Sequence, residues 1–139
     1  MLRLFLILLI MVYASFCDIK TMEIPDKCFI LIMLLAQRPY IKASLIILGL
    51  HLLFTLLCVL IAKTVPMGFG DAKILFALCF STGPALTVSS FVFASLFSGI
   101  YSVLILARNR FSKDTLRREL PFMPFITAGF IAASVRAFL

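Results

Sequence analysis

The segment 66-PMGFGDAK-73 is a short polar break in a chain of 139 residues, of which 63% are hydrophobic. Gly68 and Gly70 flank Phe69, and Asp71 follows with apolar sequence on either side. A carboxylate at or inside a lipid bilayer costs at least about 2.5 kcal/mol, so such a residue needs a reason to be there. Asp71 is therefore the first candidate functional residue.

The composition predicts an all-α membrane protein. Only 14% of the residues are charged and the mean hydropathy is +1.18, whereas a soluble domain is about 25% charged. The apolar runs are continuous and lack the period-two alternation of a membrane β-barrel. No polar stretch is long enough to form a soluble core, so residues 1–139 are predicted to form a single integral-membrane domain.

Polar breaks divide the chain into about six transmembrane helices, which are expected to form a polytopic bundle. The first five are predicted at residues 2–16, 26–36, 43–62, 74–82 and 85–107, and the sixth follows residues 120–125 and ends near Leu139. The first could instead be a cleavable signal peptide, although the many spans after it favour an uncleaved helix. Pro25 is predicted in the first turn of the second helix, where the amide hydrogen it lacks would have no partner.

The basic residues predict how the bundle is oriented. A net charge of +7 would raise nucleic acid as a partner of a soluble protein, but in a membrane protein basic residues gather in cytoplasmic loops. Nine of the 13 lie on the side of the polar breaks and four on the side of the termini. The breaks are therefore predicted to be cytoplasmic and both termini non-cytoplasmic, and no nucleic-acid partner is expected. All six acidic residues fall on the break side: Asp18, Glu23, Asp26, Asp71, Asp114 and Glu119.

Two of these carboxylates can form a catalytic pair. Asp18 lies just after the first predicted helix and Asp71 just before the fourth, where each helix meets the cytoplasmic interface, so both lie at a similar depth. Two close carboxylates in a low dielectric cannot both ionise easily, and one keeps its proton. The ionised carboxylate can then take a proton from water while the other donates one, which is aspartyl hydrolysis without metal or cofactor.

The residues around the pair allow two interpretations each. Gly68 and Gly70 can adopt backbone conformations closed to other residues and can admit a substrate backbone, or they simply form a turn. Lys20 and Lys73 each follow an aspartate by two residues, a spacing that does not share a helix face. We expect these lysines to reach lipid phosphates, with substrate contact as the alternative.

Other chemistries lack essential parts in this sequence. His51, the only histidine, lies in the middle of the third predicted helix. It is interpreted as a hydrogen-bonding partner of a neighbouring helix, with a proton relay as the alternative. The sequence contains no HExxH and no GxxxxGK motif, and its four cysteines form no CxxC pair. No cofactor and no metal site are therefore predicted.

Three motifs in order resemble the type IV prepilin peptidases, which are membrane aspartyl proteases of the GxGD class. Residues 68-GFGDAK-73 are similar to their GxGDxK motif, and Asp18 followed by Ile24-Pro25-Asp26 is similar to their first aspartate motif. Residues 120-LPFMPF-125 resemble a third, non-catalytic signature before the last helix, although glycine usually stands where this chain has Met123. The resemblance covers nearly the whole chain.

The resemblance implies an endopeptidase that removes the short basic leader from prepilins or pseudopilins at the cytoplasmic face of the inner membrane. It implies Asp18 and Asp71 as the catalytic residues. Many larger members carry an N-terminal cytoplasmic region with paired cysteines that is associated with methylation. This chain starts directly at the first predicted helix, so methyltransferase activity is not expected.

Two other functions remain open at this point. A small proton-coupled transporter or channel would use Asp18, Asp71 and His51 as a relay, but the acidic residues all lie on one face. A non-enzymatic assembly subunit of a pilus or secretion system would tolerate asparagine at both aspartates. The sequence leaves the particular substrate and the oligomeric state open.

Overall fold

The computed structural model describes residues 2–36, 39–63, 68–109 and 121–138, and the elements it contains there are all helical. In chain order the helices are α1 (Leu2–Thr21), α2 (Asp26–Leu34), α3 (Ile41–Ala62), α4 (Phe69–Thr82), α5 (Pro84–Asn109) and α6 (Met123–Phe138). This confirms the predicted all-α class. The charged stretch at 110–119, and Pro66, Met67 and Leu120 of the quoted motifs, lie outside the described residues.

Three of the helices are long and apolar enough to cross a membrane. They are α1, α3 and α5, with α6 as a shorter apolar helix. Helices α2 and α4 have only 9 and 14 residues, whereas a span needs about 20. The membrane character of the chain is thus clear, while six complete crossings and the side on which the termini lie stay predictions.

Two helices extend further into the polar breaks than the sequence predicted. Helix α1 continues past Phe16 to Thr21, and α4 begins at Phe69 rather than at Ile74. In both cases one face of the extra turn is buried in the bundle, as at Asp18 and Asp71. Tertiary packing therefore stabilises helical structure in polar residues that hydropathy alone assigned to loops.

Helix α4 is the centre of the bundle. It contacts α2, α3 and α5, while α1 contacts α2 and α6, and α5 and α6 share the largest interface. Eight of the 14 residues of α4 are buried, from Asp71 to Ser81. Helix α3, by contrast, presents large apolar side chains on most of its surface, as expected of a helix that faces lipid.

The short turn between α4 and α5 depends on one glycine. Gly83 has φ +96°, a conformation that favours a residue without a Cβ. A Cβ there would also lie 3.2 Å from the ring of Tyr40, which precedes α3. The Tyr40 backbone N–H donates to the Phe80 carbonyl oxygen at 3.1 Å, which ties the start of α3 to the end of α4.

Helices α5 and α6 make their tightest backbone approach at Gly129. A Cβ on this residue would overlap the carbonyl oxygen of Ser90 and lie 2.8 Å from the backbone nitrogen of Ala94. Because both obstacles are backbone atoms, the helices cannot accommodate a methyl group by a rotamer change. Small residues at a helix interface allow this kind of contact in membrane proteins.

We expect Gly129→Ala to destabilise the bundle by about 1–3 kcal/mol, because the two helices must move apart. The matched control is Gly99→Ala in α5, where a Cβ would meet no atom within 4 Å. That change is expected to be neutral or slightly stabilising through helix propensity. Unfolding in mixed micelles, followed by circular dichroism, measures both. Equal stability of the two variants would contradict the close α5–α6 contact.

Candidate active site

Asp18 lies in the last turn of α1 and is buried against the start of α6. Only 7% of this residue is exposed, although the neighbouring Ile19 and Lys20 are exposed. Its Oδ2 accepts a hydrogen bond of 3.0 Å from the backbone N–H of Met123. A hydrogen bond to a charged acceptor of this kind stabilises the ionised carboxylate.

The amide of Met123 is available because α6 itself gives it no partner. The first N–H groups of a helix have no carbonyl one turn earlier. The next residue, Pro124, has no amide hydrogen, and the two amides after it both donate to the Phe122 carbonyl oxygen, at 3.0 and 3.2 Å. The start of α6 therefore directs one N–H at Asp18, at the end of the helix where the dipole favours negative charge.

Asp71 occupies the first turn of α4, three residues after Gly68 at the N-cap position. The helix dipole favours a negative charge at this end as well. Only 8% of the residue is exposed, and Oδ1 has no hydrogen-bond partner among the residues that the structure describes. This buried oxygen is thus free to interact with a proton, a water molecule or a substrate group.

The two carboxylates act on each other. Burial, and secondly the negative charge of Asp18, raise the pKa of Asp71 to about 7. Near neutral pH Asp71 is therefore more readily protonated than an ordinary aspartate. A protonated carboxyl beside an ionised one can serve as general acid and general base in the same reaction.

We expect the pKa of Asp71 to fall in Asp18→Asn, because the neighbouring charge is removed. It should stay above 3.8, the ordinary value, because burial is the larger cause of the shift. Carbon-13 NMR of the Asp71 carboxyl group across pH, in micelles, measures this value. Glu23→Gln, which removes an exposed charge, is the control. An unchanged titration in Asp18→Asn would mean that the carboxylates are not neighbours.

The two glycines do not adopt the unusual backbone conformation that glycine would allow at these positions. Neither Gly68 nor Gly70 has a positive φ, since Gly68 is an extended N-cap residue with φ −65° and Gly70 lies in the first helical turn. Gly70 does permit a close approach: a Cβ there would lie 3.3 Å from Cδ1 of Ile24. The approaching segment is this chain's own α1–α2 connection.

The lysines of the two Asp-x-Lys motifs have different surroundings. Lys73 does not contact Asp71 and instead pairs with Asp26, with Nζ 2.8 Å from Oδ1. Its Nζ also lies 5.9 Å from the centre of the Phe69 ring. Lys20 is exposed in the last turn of α1. Contact of either lysine with lipid phosphates or substrate stays a prediction.

Pro25 lies at the N-cap of α2, immediately before the first turn for which it was predicted, with φ −61°, and α2 begins at Asp26 as predicted. Its carbonyl oxygen accepts a hydrogen bond of 3.0 Å from the Cys28 N–H, which closes the first turn of the helix. Pro25 therefore fixes the point at which the α1–α2 connection becomes helix, between Ile24, which packs on Gly70, and Asp26, which pairs with Lys73.

His51 does not join the two aspartates. It is half-buried in α3 and its Nε2 lies 3.4 Å from the Thr55 hydroxyl of the same helix, so the predicted bond to a neighbouring helix is not observed. It lines an apolar cavity of about 330 Å³ between α3, α4 and α5, together with Leu75 and Thr87. This setting is structural rather than that of a relay to Asp18.

Three partners of the site were not predicted from the sequence: the Met123 amide, Ile24 and Asp26. The side-chain types in a sequence do not indicate which backbone N–H will donate to a carboxylate. The Asp26–Lys73 ion pair joins residues 47 positions apart, so no local pattern predicts it. In the described part of the chain, no three potential metal ligands among His, Cys, Asp and Glu are gathered together.

Comparison with known proteins gives a match to a family model. The model of a family described as the type IV leader peptidase family matches residues 5–103, a range that contains both Asp18 and Asp71. No curated protein and no solved structure matches the chain. Helix α6, which supplies the Met123 amide, lies beyond the matched range.

Proposed function

This chain belongs to the type IV leader peptidase family, and we propose from that premise that it is an aspartyl endopeptidase with Asp18 and Asp71 as its catalytic pair. One observation carries the proposal: two carboxylates from different helices, Asp18 in the last turn of α1 and Asp71 in the first turn of α4, are both buried in the bundle, and Oδ1 of Asp71 has no hydrogen-bond partner among the described residues. This is the arrangement that metal-free hydrolysis by two carboxylates needs.

The roles within the pair follow from the surroundings of each carboxylate. In this mechanism Asp18, whose Oδ2 accepts the Met123 N–H, is the ionised partner and takes a proton from water as the water oxygen attacks the scissile carbonyl carbon. Asp71 donates its proton to the carbonyl oxygen. The tetrahedral intermediate then collapses as the C–N bond breaks, with Asp18 returning the proton to the leaving amine and Asp71 regaining its own.

We infer that the substrates are prepilins or pseudopilins with a short basic leader followed by an apolar helix. Cleavage would take place at the cytoplasmic face of the inner membrane. The description of the family as leader peptidases supports this class. Gly68, Gly70 and Pro25 would shape the site beside Asp71, and Lys20 and Lys73 would lie at its rim, where Lys73 is partly exposed.

Cleavage of such a substrate by the full chain, reconstituted in liposomes, tests the proposal. The comparison is between the wild-type chain and variants with asparagine in place of each catalytic aspartate. Cleavage at the wild-type rate by either variant would exclude a two-carboxylate mechanism.

A further inference from the structure

Helices α1 and α6 are joined by a second polar contact one turn away from the bond between Asp18 and Met123. Ser15 precedes Asp18 by three residues and Thr127 follows Met123 by four, so each hydroxyl lies on the same face of its helix as the bond it accompanies. The two hydroxyl oxygens are 2.7 Å apart, and both residues are buried, with 8% and 6% exposed.

The hydrogen-bond partners of both hydroxyls lie within these two helices. The Ser15 hydroxyl oxygen lies 2.9 Å from the Met11 carbonyl oxygen, and either hydroxyl can donate the bond that joins Ser15 to Thr127 while the other donates to a carbonyl oxygen of its own helix. The Thr127 oxygen also lies 3.1 Å from the Met123 carbonyl oxygen and 3.3 Å from that of Met11. Thr127 thus contacts the first residue of α6 and the α1 backbone at once.

This contact can set the register between the two helices. Both otherwise contribute apolar side chains to the core, including Ile7, Met11, Ile126 and Phe130. Apolar surfaces do not specify one register strongly, whereas a buried polar pair does. A slip of one residue moves a helix by about 1.5 Å along its axis, which is enough to lose a hydrogen bond of 3.0 Å between Met123 and Asp18.

We propose that Thr127 is a positioning residue for peptide cleavage: its bond to Ser15 fixes α6 against α1 and thereby holds the Met123 amide on Asp18. The inference rests on the proposed function, because Thr127 affects turnover only through Asp18. It adds a part to the site that lies outside the range matched by the family model.

The kinetic test uses the full chain in liposomes with a prepilin-like substrate. We expect Thr127→Val to lower kcat by roughly ten- to a hundredfold, as a small misplacement of a catalytic group does, with little change in KM. Thr127→Ser restores the hydroxyl and should restore kcat. The matched control is Thr87→Val, which removes an equally buried hydroxyl that donates to the Gly83 carbonyl oxygen.

A second variant removes the α1 partner of the same hydrogen bond. Ser15→Ala removes the other hydroxyl and should lower kcat to a similar degree. Because both changes break one interaction, the double variant Ser15→Ala/Thr127→Val should be no slower than either single variant. Additive losses would overturn the proposal, and Ser15→Ala serves alone if Thr127→Val does not fold.

Amide hydrogen exchange gives a readout that does not depend on activity. In Thr127→Val we expect the Met123 amide to exchange faster than in the wild-type chain. The Ala133 amide, further along α6, should keep its wild-type exchange rate. Faster exchange at both amides would indicate general destabilisation and overturn the proposal. Wild-type kcat and wild-type Met123 exchange in Thr127→Val would overturn it while leaving the proposed function intact. Equal cleavage by Asp18→Asn would instead overturn the proposed function, and the role of Thr127 with it.

Discussion

We expect Asp18→Asn and Asp71→Asn each to lower kcat for leader cleavage by about a thousandfold or more. Asparagine has nearly the shape of aspartate, but it can neither take a proton from water nor donate an acidic one. Loss of a general acid or base alone costs about 10²–10⁴ in rate. Because the proposed mechanism uses the two carboxylates as a unit, the double variant should be about as slow as either single variant.

Glu23→Gln is the matched control for these variants. Glu23 is an exposed carboxylate in the α1–α2 connection, and its conversion to an amide should leave cleavage unchanged. Protection from added protease and circular dichroism would establish that all variants insert and fold. Cleavage by both aspartate variants at the rate of Glu23→Gln would leave only a non-catalytic function, such as that of an assembly subunit.

The second large effect is that of pH. In the proposed mechanism Asp71 must carry its proton to act as general acid. Because burial and the Asp18 charge raise its pKa to about 7, kcat/KM should fall about tenfold per pH unit above that value. A group with an ordinary aspartate pKa would have lost its proton, and the activity with it, well below neutral pH. Initial rates from about pH 5 to about pH 9 measure the profile.

A substrate without titratable groups beside the scissile bond is the control for the pH profile, because it excludes ionisation of the substrate as the cause. Glu23→Gln should give the same profile as the wild-type chain. Constant activity up to about pH 9 would mean that a protonated Asp71 takes no part in the slow step.

The overall architecture was predictable because hydropathy reports directly on lipid-facing helices. Helices α3 and α5 differ from their predicted bounds by only a few residues. The errors fall where packing rather than hydropathy decides: α1 continues through Asp18 and α4 starts at Phe69, since each buries one face of its polar turn. Local hydropathy does not show that a residue is buried by a helix that is distant in the sequence.

The sequence predicted those candidate site residues that are charged side chains next to apolar sequence. A lone carboxylate in apolar sequence identified Asp71, and the matching position at the end of the first helix identified Asp18. The contact between Asp18 and Met123 spans 105 residues and uses a backbone donor, so no local pattern contains it. Neither glycine needed a positive φ, because a helix start, rather than a tight turn, follows Gly68.

The shortness of α4 has a consequence for membrane insertion. With 14 residues it is about 21 Å long, against about 30 Å of hydrocarbon, and it carries Asp71 and Lys73. Such a segment inserts poorly on its own. If α4 enters the bilayer, as the sequence predicts, we expect it to do so together with α5, which follows it after the single residue Gly83. We therefore expect Asp71 to reach its buried position only once several helices have assembled, so that a partly inserted chain would lack the proposed pair of buried carboxylates.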